Sequence, residues 1–124
     1  MTEPKNKRRF EVAVVGVTFE GRQDIISELC VAQEAENGIA LTGRLIREPQ
    51  NRFDSNAVAV EVEGKQIGYI PKALAAKLAP RIDAGKLIDV IGVRIIRGEK
   101  EGQVVYGVRI DVEMEAETKR RLYK

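Results

Sequence analysis

Histidine and tryptophan are absent from the 124 residues, and cysteine occurs once. Without an imidazole there is no histidine general base, no Ser-His or Cys-His pair and little scope for zinc. One thiol alone does not build a four-ligand structural zinc site from soft ligands, and no disulfide can close within the chain. A reducing, cytoplasmic setting is the simpler expectation. Aromatic residues are few, three Phe and three Tyr, too few for a long track of stacked bases. No apolar run reaches the roughly 18–20 residues of a bilayer span, so no membrane partner is expected. The opening "MTEPKNKRRF" is charged and no apolar stretch follows it, which does not read as a secretion signal. Neither GxxxxGK[ST] nor GxGxxG occurs, which removes phosphate cradling by those loops.

What is present begins with an uneven charge distribution. The net charge is +2, but Lys5, Lys7, Arg8 and Arg9 crowd into residues 1–9, and Lys119, Arg120, Arg121 and Lys124 into residues 113–124. These segments read as a basic N-terminal tail and a charged C-terminal tail. Residues 10–112 between them hold 13 basic and 15 acidic side chains. A body that acidic does not wrap duplex DNA through a broad phosphate footprint, so any nucleic-acid site must be small and local.

The apolar pattern outlines one domain of six strands and two helices. "FEVAVVGV" (10–17) is β-branched and reads as a strand. "QDIISELCVAQEAE" (23–36) sets Ile25, Ile26, Leu29 and Cys30 at helical spacing, with "NG" at 37–38 as its stop. Cys30, on that apolar stripe, reads as a buried structural thiol. "IALTGRLI" (39–46) and "NAVAVEV" (56–62) alternate as strands, and Glu63-Gly64 turns the second into "KQIGYI" as a tight hairpin. Pro71 suits the start of a helix carrying Leu74, Leu78 and Ile82, which Pro80 is expected to kink or shorten. "KLIDVIGVRII" (86–96) and "QVVYGVRIDVEM" (103–114) are long strands joined by an exposed "RGEKEG". The links are too short for crossovers, so pairing is mostly antiparallel. Six short strands favour a small closed or partly open barrel. The fold class is mainly β (α+β).

With imidazole and thiol chemistry gone, carboxylates are the remaining source of catalysis. Glu48 and Asp54 are of the kind that holds Mg²⁺ for hydrolysis. Their stretch lacks the D-x-[DN]-x-[DN]-G rhythm of a Ca²⁺ loop, and no Glu closes it at the expected spacing. No metal or cofactor is therefore expected, and the chain reads as non-enzymatic.

The most specific signal is "REPQNRFDSNAVAV" (47–60). Its pattern R-E-P-x-N-x-x-D-x-N-A (Arg47, Glu48, Pro49, Asn51, Asp54, Asn56 and Ala57) resembles the signature of the HIRAN domain family. "GKQIGYIPKALAAKLAP" is similar to that family's glycine turn and helix, "VGVTFEGRQ" to its opening segment, and "YGVRIDV" to its last strand. The resemblance covers residues 10–112 and looks like a free-standing, bacterial- or phage-type member. It implies an OB/SH3-like barrel with two helices that captures single-stranded DNA at a free 3′ end, as in fork-remodelling translocases. By motif position, Asp54 would accept from the 3′ hydroxyl, Phe53 would line the base pocket and Lys72 would take a phosphate. A repair or replication role, or a mobile-element process, is implied, with a helicase, nuclease or other repair protein as a further partner.

The first motif departs from the family. Its eukaryotic members carry an Arg and two Tyr where this chain has Thr18, Phe19 and Glu20, so one aromatic survives and a cation is lost. Arg22, Arg44 and Arg52 are candidates to compensate, or are simply solvated. Tyr69 and Tyr106 add aromatic surface or pack in the core. Lys72 stands in the first turn of a helix, where the macrodipole disfavours a cation unless an anion binds there; the alternative is that it points into water. Asp54 is placed to accept from a hydroxyl, or closes an Asx-turn toward Asn56. Glu48, Asn51 and Asn56 read as loop-shaping groups. The alternative function is a protein-interaction module on the same barrel with little or no DNA binding.

Overall fold

The computed structural model of the protein describes residues 6–35, 38 and 40–116. Along the chain come β1 (Lys7–Ala13), α1 (Arg22–Glu34), β2 (Gly43–Arg47), β3 (Val58–Val62), β4 (Lys65–Tyr69), α2 (Lys72–Asp83), β5 (Ile88–Lys100) and β6 (Gln103–Glu115). The strands form two three-stranded sheets, ordered β1-β6-β5 and β2-β3-β4, and every pairing is antiparallel. The architecture is the six-stranded, two-helix α+β barrel expected from the alternation, partly open rather than closed by a continuous ladder.

Several element bounds differ from the sequence expectation, beginning with β1, which runs Lys7–Ala13 rather than 10–17. β2 begins at Gly43, while Ile39, where the strand was expected to start, lies outside the described residues; β2 is paired to β3 through Arg47↔Val58. The first helix ends at Glu34; Asn37, read as part of its stop, lies outside the described residues. The second helix runs through Pro80 to Asp83, because Pro80 gives up one intrahelical bond while its own carbonyl still accepts from Ala84 N–H at 3.0 Å. The "RGEKEG" segment is mostly strand. β5 continues to Lys100, opposite Gln103, and only Glu101 and Gly102 turn the chain, at φ 52° and 78°. Glu63 and Gly64 do the same between β3 and β4, at φ 51° and 78°. Two successive residues at positive φ match the twist of the flanking strands, the geometry that favours a two-residue hairpin. Glu63 adds a side-chain brace. Its carboxylate accepts from Thr42 N–H and Thr42 Oγ1, each at 2.7 Å, and these bonds hold its pKa below the usual glutamate range.

The β1/β6 ladder runs from Lys7↔Glu115 to Ala13↔Arg109, so pairing extends into both segments read as charged tails. The rest of those segments lies outside the described residues. No helix among the described residues is long and apolar enough to cross a membrane.

Between the sheets lies one core, with Ile26, Ile67 and Ile110 fully buried and Val58, Val60, Val62 and Val112 beside them. Each such side chain contributes about 1.5–3 kcal/mol of burial. Cys30 is buried in it as expected; burial and the neighbouring Glu34 push its thiol pKa up, which keeps it protonated. Helix α1 is fixed to sheet edges by two amides. Gln23 exchanges two 2.9 Å bonds with the backbone of Tyr106, and Gln33 bonds Ile95 N–H at 2.8 Å and Ile95 O at 3.1 Å. Each amide supplies the donor and acceptor that a further strand would have offered to an exposed edge.

The seam between the sheets positions the functional site. Val14 N–H still bonds Val108 O of β6 at 2.9 Å, and the next residue, Val15, exchanges two 2.9 Å bonds with Tyr69 of β4. The crossing requires glycine at position 68, where a Cβ would stand 2.4 Å from Val15 O and 2.6 Å from Val14 Cγ1. Gly68→Ala is therefore expected to destabilise the protein by about 1–3 kcal/mol, the usual range for overpacking. Thermal denaturation checks it, and an unchanged Tm would mean that the seam yields without cost.

Candidate functional site

A cavity of about 670 Å³ opens beside this seam and is lined by Val15, Gly16, Phe19, Arg22, Asn51, Arg52, Phe53, Asp54, Ala57, Tyr69, Ile70 and Lys72. Three segments far apart in sequence build it: the turn before α1, the polar loop between β2 and β3, and the end of β4 with the start of α2. Three cations and one carboxylate line it, so a protein whose central body is acidic presents a locally basic groove.

The polar loop is held by its own side chains. Glu48 Oε1 accepts from Asn51 Nδ2 at 2.9 Å and from Tyr69 Oη at 2.8 Å. Asn51 Oδ1 in turn accepts from the backbone N–H groups of Phe53 at 2.9 Å and Asp54 at 3.1 Å. Arg47 braces the loop's root: it donates to Ala57 O at 3.1 Å and pairs with Asp83 of α2 through Nε at 3.0 Å and Nη2 at 3.1 Å. The chain Tyr69–Glu48–Asn51 thus fixes the backbone from which Phe53 and Asp54 project. Glu48 and Asn51 shape the loop, as expected. Asn56 takes part through its backbone N–H.

Of the two readings of Asp54, the Asx-turn is seen directly. Its Oδ1 accepts from Asn56 N–H at 2.9 Å, which is an Asx-turn. Its Oδ2 meets no donor among the described residues, and the residue lines the groove. Phe53 is 87% exposed and Phe19 61% exposed, unusual for large apolar rings without a partner. Each has a guanidinium near it: Arg52 Cζ is 5.7 Å from the Phe53 centroid and Arg22 Cζ 5.1 Å from that of Phe19. Arg22 also lies 5.4 Å from the Tyr69 centroid and donates to Gly16 O at 2.8 Å. Lys72 is exposed on the first residue of α2, whose N-terminus has no side-chain cap. Uncapped N–H groups and an ammonium together suit an anion.

Seven of the eight candidate residues, Phe19, Arg22, Arg52, Phe53, Asp54, Tyr69 and Lys72, line this groove. Arg44 does not. It sits on β2 opposite Glu61 and is exposed, because Leu45 beside it packs on the core and alternation turns Arg44 to the other face. Tyr106 packs on the core, the second of its two readings. Glu48, proposed above as half of a carboxylate pair, has one oxygen engaged by two donors. Among the described residues no three Asp, Glu or Cys side chains gather.

The HIRAN domain model matches residues 7–117. The chain belongs to the HIRAN domain family. Among curated proteins it is 50% identical over 50 residues to helicase-like transcription factor of Oryctolagus cuniculus, covering 40% of this chain and 5% of that protein. It is 42% identical over 53 residues to an Arabidopsis thaliana protein named as a SWI/SNF-related matrix-associated actin-dependent regulator of chromatin subfamily A member 3-like 1, covering 42% of this chain and 6% of the relative. The aligned stretch thus spans about one-twentieth of those relatives' length. The crystal structure of the HIRAN domain of human HLTF aligns with a TM-score of 0.49 at 21% identity, over 86% of this chain and 76% of that one.

Several lining and bracing groups of this HIRAN domain lie inside the matching motifs but had no such role assigned from the sequence. Val15, Gly16, Ala57 and Ile70 contribute groove wall through the seam, and the Tyr69–Glu48 bond spans 21 residues. A Tyr at the end of one strand and a Glu at the end of another are common enough to imply no pairing.

Proposed function

We propose that this HIRAN domain is a binding module, not an enzyme, that takes single-stranded DNA in the groove and prefers a free 3′ hydroxyl. The observation that carries the reading is the company Asp54 keeps. A carboxylate with one oxygen engaged in the turn lines the same groove as two exposed aromatic rings and Lys72 at an open helix N-terminus. A carboxylate accepts a hydrogen bond from a hydroxyl and repels a phosphodiester, so at this position it tells a strand end from a continuing strand. The rings offer stacking to any base, and the groove has room for one to three nucleotides rather than a long track. The names of the relatives, helicase-like and chromatin-regulating, favour a DNA-processing setting such as repair or replication, with a helicase or nuclease as partner.

The test is fluorescence anisotropy of a short labelled strand at low salt, ending in a 3′ hydroxyl or a 3′ phosphate. Tighter binding of the hydroxyl end is expected; equal binding would reduce the groove to a generic single-strand site. Lys72→Ala is expected to weaken both strands and to lower the slope of log K against log salt by about 0.7, the loss of one phosphate contact on a single strand. An unchanged slope would remove Lys72 from the phosphate path. The exposed rings of Phe19 and Phe53 also suit a protein partner, and failure of both strands to bind would favour that second reading.

A further inference from the structure

Resting on the reading of the groove as a single-strand site, we infer that Arg22 is a second phosphate-binding residue there, separate from Lys72. Its guanidinium is held on three sides. Nη1 donates to Gly16 O at 2.8 Å, and Cζ lies 5.1 Å from the ring centroid of Phe19 and 5.4 Å from that of Tyr69. A cation bonded at one nitrogen and in contact with two rings is restricted in orientation, and its remaining N–H groups are left for a ligand.

Those remaining donors have no anion. Arg9 pairs with Glu113, Arg47 with Asp83, and Arg94 and Arg109 with Glu11. No carboxylate among the described residues reaches Arg22, although it is partly buried. Glu20, two residues away, is exposed and is not part of the groove lining. A partly desolvated charge without a counter-charge is costly, and a ligand that brings one is favoured in proportion. A fixed guanidinium fork suits phosphate oxygens, and here it stands against the ring, Phe19, whose exposure suits a base. A base stacked on Phe19 carries its own backbone past this fork. Lys72 enters from a different element, the start of α2, so the two cations act on two phosphates and the groove engages at least two consecutive nucleotides.

The experiment is a salt titration of an oligothymidylate with a free 3′ hydroxyl, followed by anisotropy between roughly 50 and 200 mM salt. It compares the unaltered chain with Arg22→Gln, Arg22→Lys and the double variant Arg22→Gln/Lys72→Ala. Arg22→Gln is expected to reduce the salt slope by about 0.7, and the double variant by about 1.4, as for two independent phosphate contacts. Arg22→Lys is expected to keep the slope of the unaltered chain while binding several-fold more weakly, because the charge remains and the planar fork does not. A slope unchanged in Arg22→Gln would overturn the inference. If affinity and Tm then fell together, Arg22 would be a brace for Phe19 and Tyr69. If affinity fell only for strands of one terminal base, it would read a base edge instead. Absence of binding by the unaltered chain would remove the single-strand reading itself, and this inference with it.

Discussion

Replacing Phe19 and Phe53 together with alanine is expected to lower single-strand affinity by roughly 30-fold to 10⁴-fold and to leave the fold intact. Stacking of one base on one ring contributes about 1–3 kcal/mol, and the two rings stand on separate segments, the turn before α1 and the loop before β3. Neither ring belongs to the core cluster, and their exposures of 61% and 87% leave little packing to lose. Tm should therefore move by no more than a surface substitution moves it, while each single variant loses its own share of affinity. Anisotropy titration beside thermal denaturation separates the two effects. The Phe19 variant should also loosen Arg22, whose guanidinium leans on that ring, so its salt slope should fall slightly; Phe53→Ala should leave the slope as it was. Single-strand affinity unchanged in the double variant would place the binding face elsewhere on the barrel.

The contrast between what the residues reveal and what they hide follows the range of the interactions. Asp54, Phe53, Asn51 and Glu48 stood out together because one loop carries them in the pattern that resembles the HIRAN signature, and their bonds span only two to three residues. Lys72 stood out by its position in the matching second motif, with Pro71 marking the helix start beside it. Strand and helix identities followed from alternation and helical spacing. The turn between β5 and β6 was overestimated for a local reason: "RGEKEG" is polar enough to read as loop, yet two charged strand ends can pair in water when a two-residue turn of the right hand joins them. Arg44 takes the second of its two readings, a solvated side chain, because the parity of Leu45 turns it to the face away from the groove. Gln23 and Gln33 were silent because their partners lie 83 and 62 residues away, and a glutamine that imitates a strand looks in sequence like any polar helix residue. The groove itself depends on the Val15–Tyr69 bridge and on Gly68, and a glycine in a strand signals a close approach without saying to what.

Asp54→Asn is expected to erase the preference for a 3′ hydroxyl while keeping the loop. In the proposed reading Asp54 does two things at once. Oδ1 closes the turn with Asn56 N–H at 2.9 Å, and an asparagine Oδ1 does this equally well. The other position changes from a charged acceptor to an NH₂ donor. A charge-assisted hydrogen bond to the terminal hydroxyl is worth about 1.5–3 kcal/mol, so affinity for the hydroxyl-ended strand should fall on the order of 10- to 150-fold. The phosphate-ended strand should move the other way. Two unit charges 4 Å apart repel by about 4 kcal/mol at an effective dielectric of 20, and removing one of them relieves that cost. The two affinities therefore converge from both sides, which simple damage to the loop cannot produce. Asp54→Ala supplies the comparison: it loses the turn as well, should cost about 1 kcal/mol of stability, and should weaken both strands relative to Asp54→Asn through a less fixed Phe53. Equal losses for both strand ends in Asp54→Asn would assign the carboxylate to the turn alone and leave the groove without a means of recognising an end.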